Sequence, residues 1–383
     1  MRILQIHPLM KSEALAPAAG GMARAALQLT RLLLERGHEV QVLPIPEGVG
    51  SRELWEVAPG RAVEVAAAMH IPGWKEMPWL PWSLLRLQPL PAGIKNIFYD
   101  AFALTALRRE VQLFRPEIIH NHLARRPFPR LARALGLHGN LVLTHHHGEP
   151  GESLDAYDSV VFPSRSARDR INAQIQFPKE RTRTIHYPVS PVFCRTPLEL
   201  NRSRRGIVFV GAVRRRKGID LLLDAYRADR TLWSEPLIIC GRGEDEALVQ
   251  QAARDGVPIR MLGQLSQEDL AQTLSEARLA VIPSRLEGFS IAVLEALCSG
   301  VPAVGWAPQI CELEDVLGLP AGKPFDGRSQ TSAELAAVMR AALREETDSS
   351  AYRMRLAAAA RETFSEHRYA AAYLDLFGEM LRS

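Results

Sequence analysis

The sequence predicts an α/β protein: two doubly wound domains of parallel sheet and helix, facing each other across a central cleft. Three observations carry that prediction. The chain has 383 residues, and at roughly 150 per domain it has room for two full hydrophobic cores. A strand–helix unit recurs in two blocks of similar size, separated by a polar, proline-bearing stretch at residues 188–204. The apolar fraction of 47% and charged fraction of 23% are those of a soluble globular chain, and no run of about 18 apolar residues offers a membrane-spanning helix.

In order, Ile3 to His7 reads as a buried strand, followed by a loop with Pro8, Pro17, Gly20 and Gly21. Residues 22–36 read as a helix, because Arg24, Gln28, Arg31 and Glu35 form a polar stripe at helical spacing among Ala and Leu. Gly37 ends it, and Glu39 to Leu43 is the second strand. Residues 44–91 read as irregular, and a helix is expected over 93–114. Strands follow at Glu117–His120, Leu141–Thr144, Ser159–Phe162 and Thr182–His186, with Ser164 as the N-cap of a helix over 165–175. The second series has strands at Gly206–Val210, Pro236–Cys240, Pro258–Leu262, Leu279–Pro283 and Val301–Val304. Ser266 with Asp269 resembles a capping box, and residues 332–382 read as nearly all helix.

The net charge of 47 minus 43, or +4, suits an anionic ligand or an acidic membrane surface and is too small for a nucleic-acid signature. Cys194, Cys240, Cys298 and Cys311 have neither C-x-x-C spacing nor the density of a disulfide framework, so a cytoplasmic location is expected. The first residues start a strand, with no charged-then-apolar leader.

In doubly wound folds, ligands sit outside the carboxyl ends of strands, so those loops are where function is sought. One such loop runs Pro283-Ser284-Arg285-Leu286-Glu287-Gly288-Phe289-Ser290-Ile291 and leads to Glu295. A helix starting near Ser290 would offer free amides for anionic or hydroxyl oxygens, and the carboxylates of Glu287 and Glu295 would accept sugar O–H bonds. By spacing alone, an N-cap cluster on a surface helix accounts for the pattern equally well. A second loop follows Phe209-Val210-Gly211 and runs Ala212-Val213-Arg214-Arg215-Arg216-Lys217-Gly218. Four cations before a helix make sense with a diphosphate between them and the helix, although a solvated basic loop is the better reading of a charge run taken alone. Gly20-Gly21 could be a phosphate-approach loop, with an ordinary turn the better reading. His120-Asn121-His122 and His145-His146-His147 end strands. Strand alternation puts neighbouring residues on opposite faces, which argues against a zinc site and leaves one or two histidines facing the cleft.

No Asp-x-Asp pair and no P-loop occurs, and Gly241-Arg242-Gly243 lacks the third glycine of a dinucleotide fingerprint. Basic side chains would then neutralise a leaving diphosphate without a metal.

These residues together resemble the retaining glycosyltransferases of family 4, with a GT-B fold of two Rossmann-like domains. The E-x7-E element, Glu287 to Glu295 with the preceding Pro-Ser and the following Glu-Ala and Gly-x-Pro, is the specific part. The resemblance implies an acceptor domain over 1–187, a linker at 188–204, a donor domain over 205–366, and a C-terminal helix, 367–383, packing back on the first domain. It implies that Glu287 and the amides of Gly288, Phe289, Ser290 and Ile291 hold the donor hexose and phosphate. Glu295 would bind the ribose, Lys217 and Arg216 the diphosphate beside Gly211, and Leu265 the base. Gly20 and Gly21 would approach the diphosphate, and His122 the transferred sugar. Lys217, Glu287 and His122 are the residues assigned to catalysis. The pattern departs from the family at Ala212, where arginine is usual, so Arg214, Arg215 or Arg216 would supply that charge. It departs again at Trp306-Ala307-Pro308-Gln309, which replaces a Gly-Gly before Glu312 and leaves Glu312 without an assigned role.

The implied reaction moves a hexose from a nucleotide diphosphate sugar, UDP- or GDP-linked, to the hydroxyl of a small-molecule, glycan or lipid-linked acceptor. It needs no cofactor or metal, and closure of the two domains would bring His122 to the donor. Residues 72–91, with Trp74, Trp79, Trp82 and Arg86, read as packing beside the following helix in preference to an acceptor site or a peripheral membrane contact. Rival readings are a non-catalytic sugar-nucleotide-binding module and a nucleotide-sugar epimerase or hydrolase.

Overall fold

The computed structural model describes residues 1–7, 21–44, 53–58, 61–65, 107–122, 140–146, 154–175, 177–198, 204–344 and 349–382. The chain divides into two compact units. Met1–Pro163, Arg170–Ile185 and Ala370–Ser383 form the first; Ser164–Asp169 and His186–Tyr369 form the second.

The first unit is built on an eight-stranded sheet, ordered β3-β4-β2-β1-β5-β6-β7-β8. Its strands are β1 (Arg2–His7), β2 (Glu39–Pro44), β3 (Glu53–Ala58), β4 (Arg61–Val65), β5 (Ile118–Asn121), β6 (Asn140–Thr144), β7 (Ser159–Phe162) and β8 (Thr182–Thr184). Strand β1 is central: Ile3 pairs in parallel with Val40 on one side and Ile118 on the other. Ile3, Leu4, Ile6, Ile118, Val142 and Val160 are buried, as parallel strands covered on both faces must be. Helix α1 (Gly21–Glu35) buries Ala25, Ala26, Leu29, Leu32 and Leu33, and its polar stripe carries the Arg31–Glu35 ion pair at 2.6 Å.

Two expectations are corrected here. Part of the stretch read as irregular forms β3 and β4, an antiparallel pair that joins the sheet through β4 alongside β2. The alternation in Glu53–Ala58 and Arg61–Val65 is short, and the prolines downstream masked it. Strand Thr182–His186 ends early, at Thr184. Of the helix expected over 93–114, residues 107–114 are helical and the rest lies outside the described residues. Residues 72–91, Gly20 and His147 also lie outside them.

The second unit has a six-stranded, fully parallel sheet, ordered β11-β10-β9-β12-β13-β14. The strands are β9 (Ile207–Val210), β10 (Leu237–Cys240), β11 (Ile259–Gly263), β12 (Leu279–Ile282), β13 (Ala303–Trp306) and β14 (Gly322–Phe325). Ile207, Phe209, Ile239, Leu279 and Val281 pack against Ile219, Leu222, Leu223 and Tyr226 of helix α3 (Ile219–Ala228). Helix α2 (Arg165–Asn172) starts on Ser164, whose hydroxyl accepts from Ala167 N–H at 3.0 Å. The capping box is present: Ser266 Oγ accepts from Asp269 N–H at 3.0 Å and donates to the Asp269 carboxylate at 2.8 Å. Strand β14 was not anticipated, because Pro324 argues against a strand; it lies at the sheet edge, where a missing N–H is tolerated. The linker stretch contains a short helix, Pro191–Arg195. The tail forms three helices, Ser332–Arg344, Ser350–Thr363 and Glu366–Arg382, and the last enters the first unit at Ala370.

The order of the parallel strands reverses between β1 and β5 in the first sheet and between β9 and β12 in the second. A crevice opens at such a reversal, because the adjoining connections leave toward opposite faces.

Candidate functional site

In the second unit the reversal brings together the basic loop after β9 and the acidic loop after β12. Gly218 makes this approach possible. Its φ is +76°, and a Cβ there would lie 2.1 Å from the Pro283 carbonyl oxygen, so only glycine fits. The Arg285 amide donates to the Arg216 carbonyl at 3.0 Å and links the loops directly. Lys217 Nζ then sits 2.6 Å from Glu287 Oε1, which also accepts from the Ser284 hydroxyl at 2.7 Å. Ser284 is fully buried and Glu287 nearly so.

The arginines divide by partner. Arg285 donates to both carboxylate oxygens of Asp220, at 2.8 and 2.9 Å, and to the Arg215 carbonyl. Burial pushes the Asp220 carboxyl up, but the Arg285 hydrogen bonds and charge outweigh it and hold the group below its usual range. Arg214 lies 3.6 Å from Glu244, and Arg215 lies 3.5 Å from Asp220 and 3.9 Å from Asp245. Arg216 is exposed and pairs with no carboxylate among the described residues.

Helix α4 (Ile291–Cys298) starts where the acidic loop ends, with Ser290 as its N-cap. The Ser290 hydroxyl makes no capping bond. Instead, Gln309 of helix α5 (Ala307–Leu317) accepts from Ser290 N–H at 2.9 Å and donates to the Ser290 carbonyl at 3.0 Å. The Ser290 amide is thus engaged by Gln309. The Gly288 carbonyl accepts from Ser164 Oγ at 2.8 Å. The Phe289 ring stacks on His186, with centroids 5.1 Å apart, and lies near Phe364 at 6.4 Å.

Glu312 now has a place. It accepts from the first-turn amides of α2, Arg165 N–H at 2.7 Å and Ser166 N–H at 3.2 Å, and bonds His186 Nε2 at 2.9 Å. Burial raises its pKa, but the bonds from His186 and the two amides overcome that and leave it below the usual carboxylate range. It is a capping and bracing residue. Glu295 is buried at 2% exposure on α4, Leu265 is half-buried in the loop after β11, and Gly211 ends β9 with φ +144°.

In the first unit the reversal collects histidines. His120 and His122 are two apart in sequence and share one face, with ring centroids 4.1 Å apart; Asn121, on the other face, donates to the Tyr157 hydroxyl at 2.7 Å. His7 lies 5.1 Å from His122, ring to ring, and His122 Nδ1 is 3.1 Å from His146 Nε2. The alternation argument therefore fails for this pair: residues two apart face the same way, and β1, β5 and β6 converge. His7 Nε2 meets Gln5 Oε1 at 3.2 Å, and Thr30 also donates to that oxygen. His120 Nε2 bonds Thr144 Oγ1 at 2.7 Å, which bonds the Tyr373 hydroxyl of helix α6 (Glu366–Arg382) at 2.8 Å.

All these rings are buried, and burial drives the pKa values of His7 and His120 down to about 3 and that of His122 well below its ordinary value. His7, His120 and His122 are neutral hydrogen-bonding groups at physiological pH. His122 Nε2 has no partner among the described residues, nor do His7 Nδ1 and His120 Nδ1. No group of three or more His, Cys, Asp or Glu among the described residues is arranged to hold a metal ion.

Sequence reading missed Ser284, Gln309 and the Gln5–His7–Thr30 group. Ser284 and Gln309 stand in segments that the sequence singles out, but nothing local marks their partners.

Comparison with known proteins agrees with this architecture. The family Glycosyltransferase Family 4 matches residues 19–193, and Glycosyl transferases group 1 matches residues 204–337. The chain belongs to the family 4, group 1 glycosyltransferases. It is 34% identical over 183 residues to O-antigen chain mannosyltransferase B of Escherichia coli, covering 44% of this chain and 47% of that protein. The match thus spans about half the length of that relative. It is 26% identical over 356 residues to a glycogen synthase of Mycobacterium tuberculosis, covering 79% of this chain and 81% of the relative. Among solved structures, sucrose-phosphate synthase from Thermosynechococcus elongatus has a TM-score of 0.70 at 16% identity, covering 100% of this chain and 99% of that one. A glycosyltransferase from Rickettsia africae has a TM-score of 0.71 at 12% identity, covering 100% and 99%. The fold is the two-domain α/β fold of the GT-B glycosyltransferases.

Proposed function

We propose that this glycosyltransferase moves a hexose-type sugar from a nucleotide diphosphate sugar to an acceptor hydroxyl, with retention of anomeric configuration and without a metal ion. The observation that carries the reading is the Lys217–Glu287 pair, 2.6 Å apart at the strand-order reversal of the second sheet. A cation for the leaving diphosphate and a carboxylate for hexose hydroxyls stand side by side, next to the amides that open α4. A mannosyltransferase and a glycogen synthase among the relatives support a hexose as the transferred group.

The chemistry follows from the charges. The acceptor oxygen bonds to the anomeric carbon on the face the diphosphate leaves, and the bond from that carbon to the phosphate oxygen breaks. The acceptor proton passes to a phosphate oxygen. Lys217 exchanges its carboxylate partner for the diphosphate, and Arg216, which has no ion-pair partner among the described residues, supplies the charge that Ala212 lacks. Neutral His122 offers its Nε2 to a sugar hydroxyl. The acceptor is a small molecule, a glycan or a lipid-linked sugar, and a cytoplasmic location belongs to the same proposal. No helix among the described residues is long and apolar enough to cross a membrane.

The test is incubation with UDP-, GDP-, ADP- and dTDP-linked hexoses, with EDTA and with added Mg²⁺ or Mn²⁺. Released nucleoside diphosphate in EDTA, and an unchanged anomeric configuration by NMR, are the expected results. Binding without turnover would replace the enzyme with a binding module. Strict dependence on added metal would sink the metal-free mechanism.

A further inference from the structure

We propose that Gln309 is a positioning residue for the donor loop, aiming the first amide of α4 by gripping both peptide groups that flank Ser290. The inference rests on the donor site proposed above. Gln309 is 1% exposed and Ser290 6% exposed, so neither partner is solvated. The carboxamide copies a peptide: its oxygen takes Ser290 N–H at 2.9 Å and its nitrogen gives to the Ser290 carbonyl at 3.0 Å.

The two bonds fall on different peptide planes. Ser290 N–H belongs to the plane shared with the Phe289 carbonyl. The Ser290 carbonyl belongs to the plane shared with Ile291 N–H. A peptide group is planar and trans, so its N–H points opposite to its C=O. Holding the Ser290 carbonyl against Gln309 therefore turns Ile291 N–H, the first amide of α4, away from α5. Nothing else on Ser290 does this, since its hydroxyl makes no cap bond. Upstream, the same loop is held at the Gly288 carbonyl by Ser164 and at the Glu287 side chain by Lys217 and Ser284. Gln309 fixes the end of the loop that those contacts leave open.

Its place in the sequence fits this role. Gln309 lies in the first turn of α5, after Trp306 and Pro308. Pro308 needs no N–H partner there, so the helix start presents the Gln309 side chain toward Ser290 at no cost in backbone bonds.

Two variants separate positioning from mere stability. Gln309→Met keeps the length and removes both bonds. Gln309→Glu keeps the acceptor for Ser290 N–H and loses the donor to its carbonyl. We expect the donor KM to rise about 10- to 100-fold in Gln309→Met and by a smaller factor in Gln309→Glu, since buried groups are left unpaired in each. The acceptor KM should hold within about twofold in both. Amide exchange by mass spectrometry, without ligand, should quicken over residues 288–292 in Gln309→Met. A purely structural role would lower Tm and leave the donor KM of the folded protein unchanged. Unchanged donor KM in both variants overturns the proposal, and Gln309→Glu decides alone if Gln309→Met does not fold. If wild type binds no nucleotide sugar, the donor-site reading fails, while unchanged exchange in a folded variant sinks the grip itself.

Discussion

At the reversal of the first sheet, β1, β5 and β6 deliver four imidazoles, from His7, His120, His122 and His146, that are buried together, with His7 bonded to Gln5, His120 to Thr144 and His122 to His146. At the reversal of the second, β9 and β12 deliver the cations Lys217, Arg216 and Arg285, which reach partly into solvent, beside the buried carboxylate of Glu287. The backbone problem is the same in both places, and the side-chain solution is opposite. Burial strips charge from the histidines, because desolvation disfavours the protonated ring. In the second site Lys217 and Arg285 each face a carboxylate, and Arg216 is exposed. The first site can hydrogen-bond a hydroxyl without attracting an anion, whereas the second can balance a diphosphate.

The largest expected effect tests the charged side of this contrast. Lys217→Ala should lower kcat by about 10²–10³, the scale for losing one electrostatic stabiliser. A rate equal to wild type under saturating donor would remove Lys217 from the mechanism. Gly218→Ala should follow. A methyl group 2.1 Å from the Pro283 carbonyl, on a backbone at φ +76°, must push the two loops apart. Stability should fall by more than about 1 kcal/mol, with weakened nucleotide-sugar binding; normal Tm and binding would show that the loops need not touch.

Acid tests the neutral side. Unfolded histidines bind protons near pH 6.5, while His7 and His120 in the folded chain resist until about 3. Between those values the unfolded state holds more protons, so stability falls as pH falls; above about 6.5 both states are neutral and the contribution is constant. Each site should contribute a slope of up to about 1.4 kcal/mol per pH unit. Glu312, whose carboxyl is held low, adds loss of the same sign only as its ordinary pKa of 4.5 is passed. Chemical denaturation of wild type and His120→Gln from pH 7 to 5 isolates the histidines, and the variant should show the flatter curve. A pH-independent wild type over that range would mean that the rings are not neutral by burial.

The smallest effect sharpens the division among arginines. Arg216→Ala should raise the donor KM about tenfold, in line with the loss of a charge-assisted hydrogen bond, whereas Arg214→Ala should stay within about twofold, since its Glu244 pair is exposed. Equal effects would show that pairing in the free protein does not choose the phosphate ligand.

Much of this second site could be read before the structure. Lys217, Gly218, Glu287 and the start of α4 stand in short contiguous segments, and local patterning identifies strand, loop and helix start. Ser164 and the Ser266–Asp269 cap were legible for the same reason. In the first site His120, His122 and His146 were in view at strand ends, but the groups they meet were hidden because those come from distant segments. Thr30 reaches Gln5 from the next helix, and Tyr373 reaches Thr144 across 229 positions. Gln309 was in view as part of an unusual tetrapeptide, yet nothing in its neighbourhood pointed 19 residues back to Ser290.

The amino-acid sequence by itself determined the alternation of strands and helices, the family, and which loops carry charge, because each is written in runs of neighbouring residues. Only the tertiary structure decided which loops meet, that four histidines are buried side by side, and that a glutamine side chain stands in for a peptide at Ser290. Strand order brings about each of these meetings. It is set by packing whole βα units against one another, a choice that no local spacing encodes.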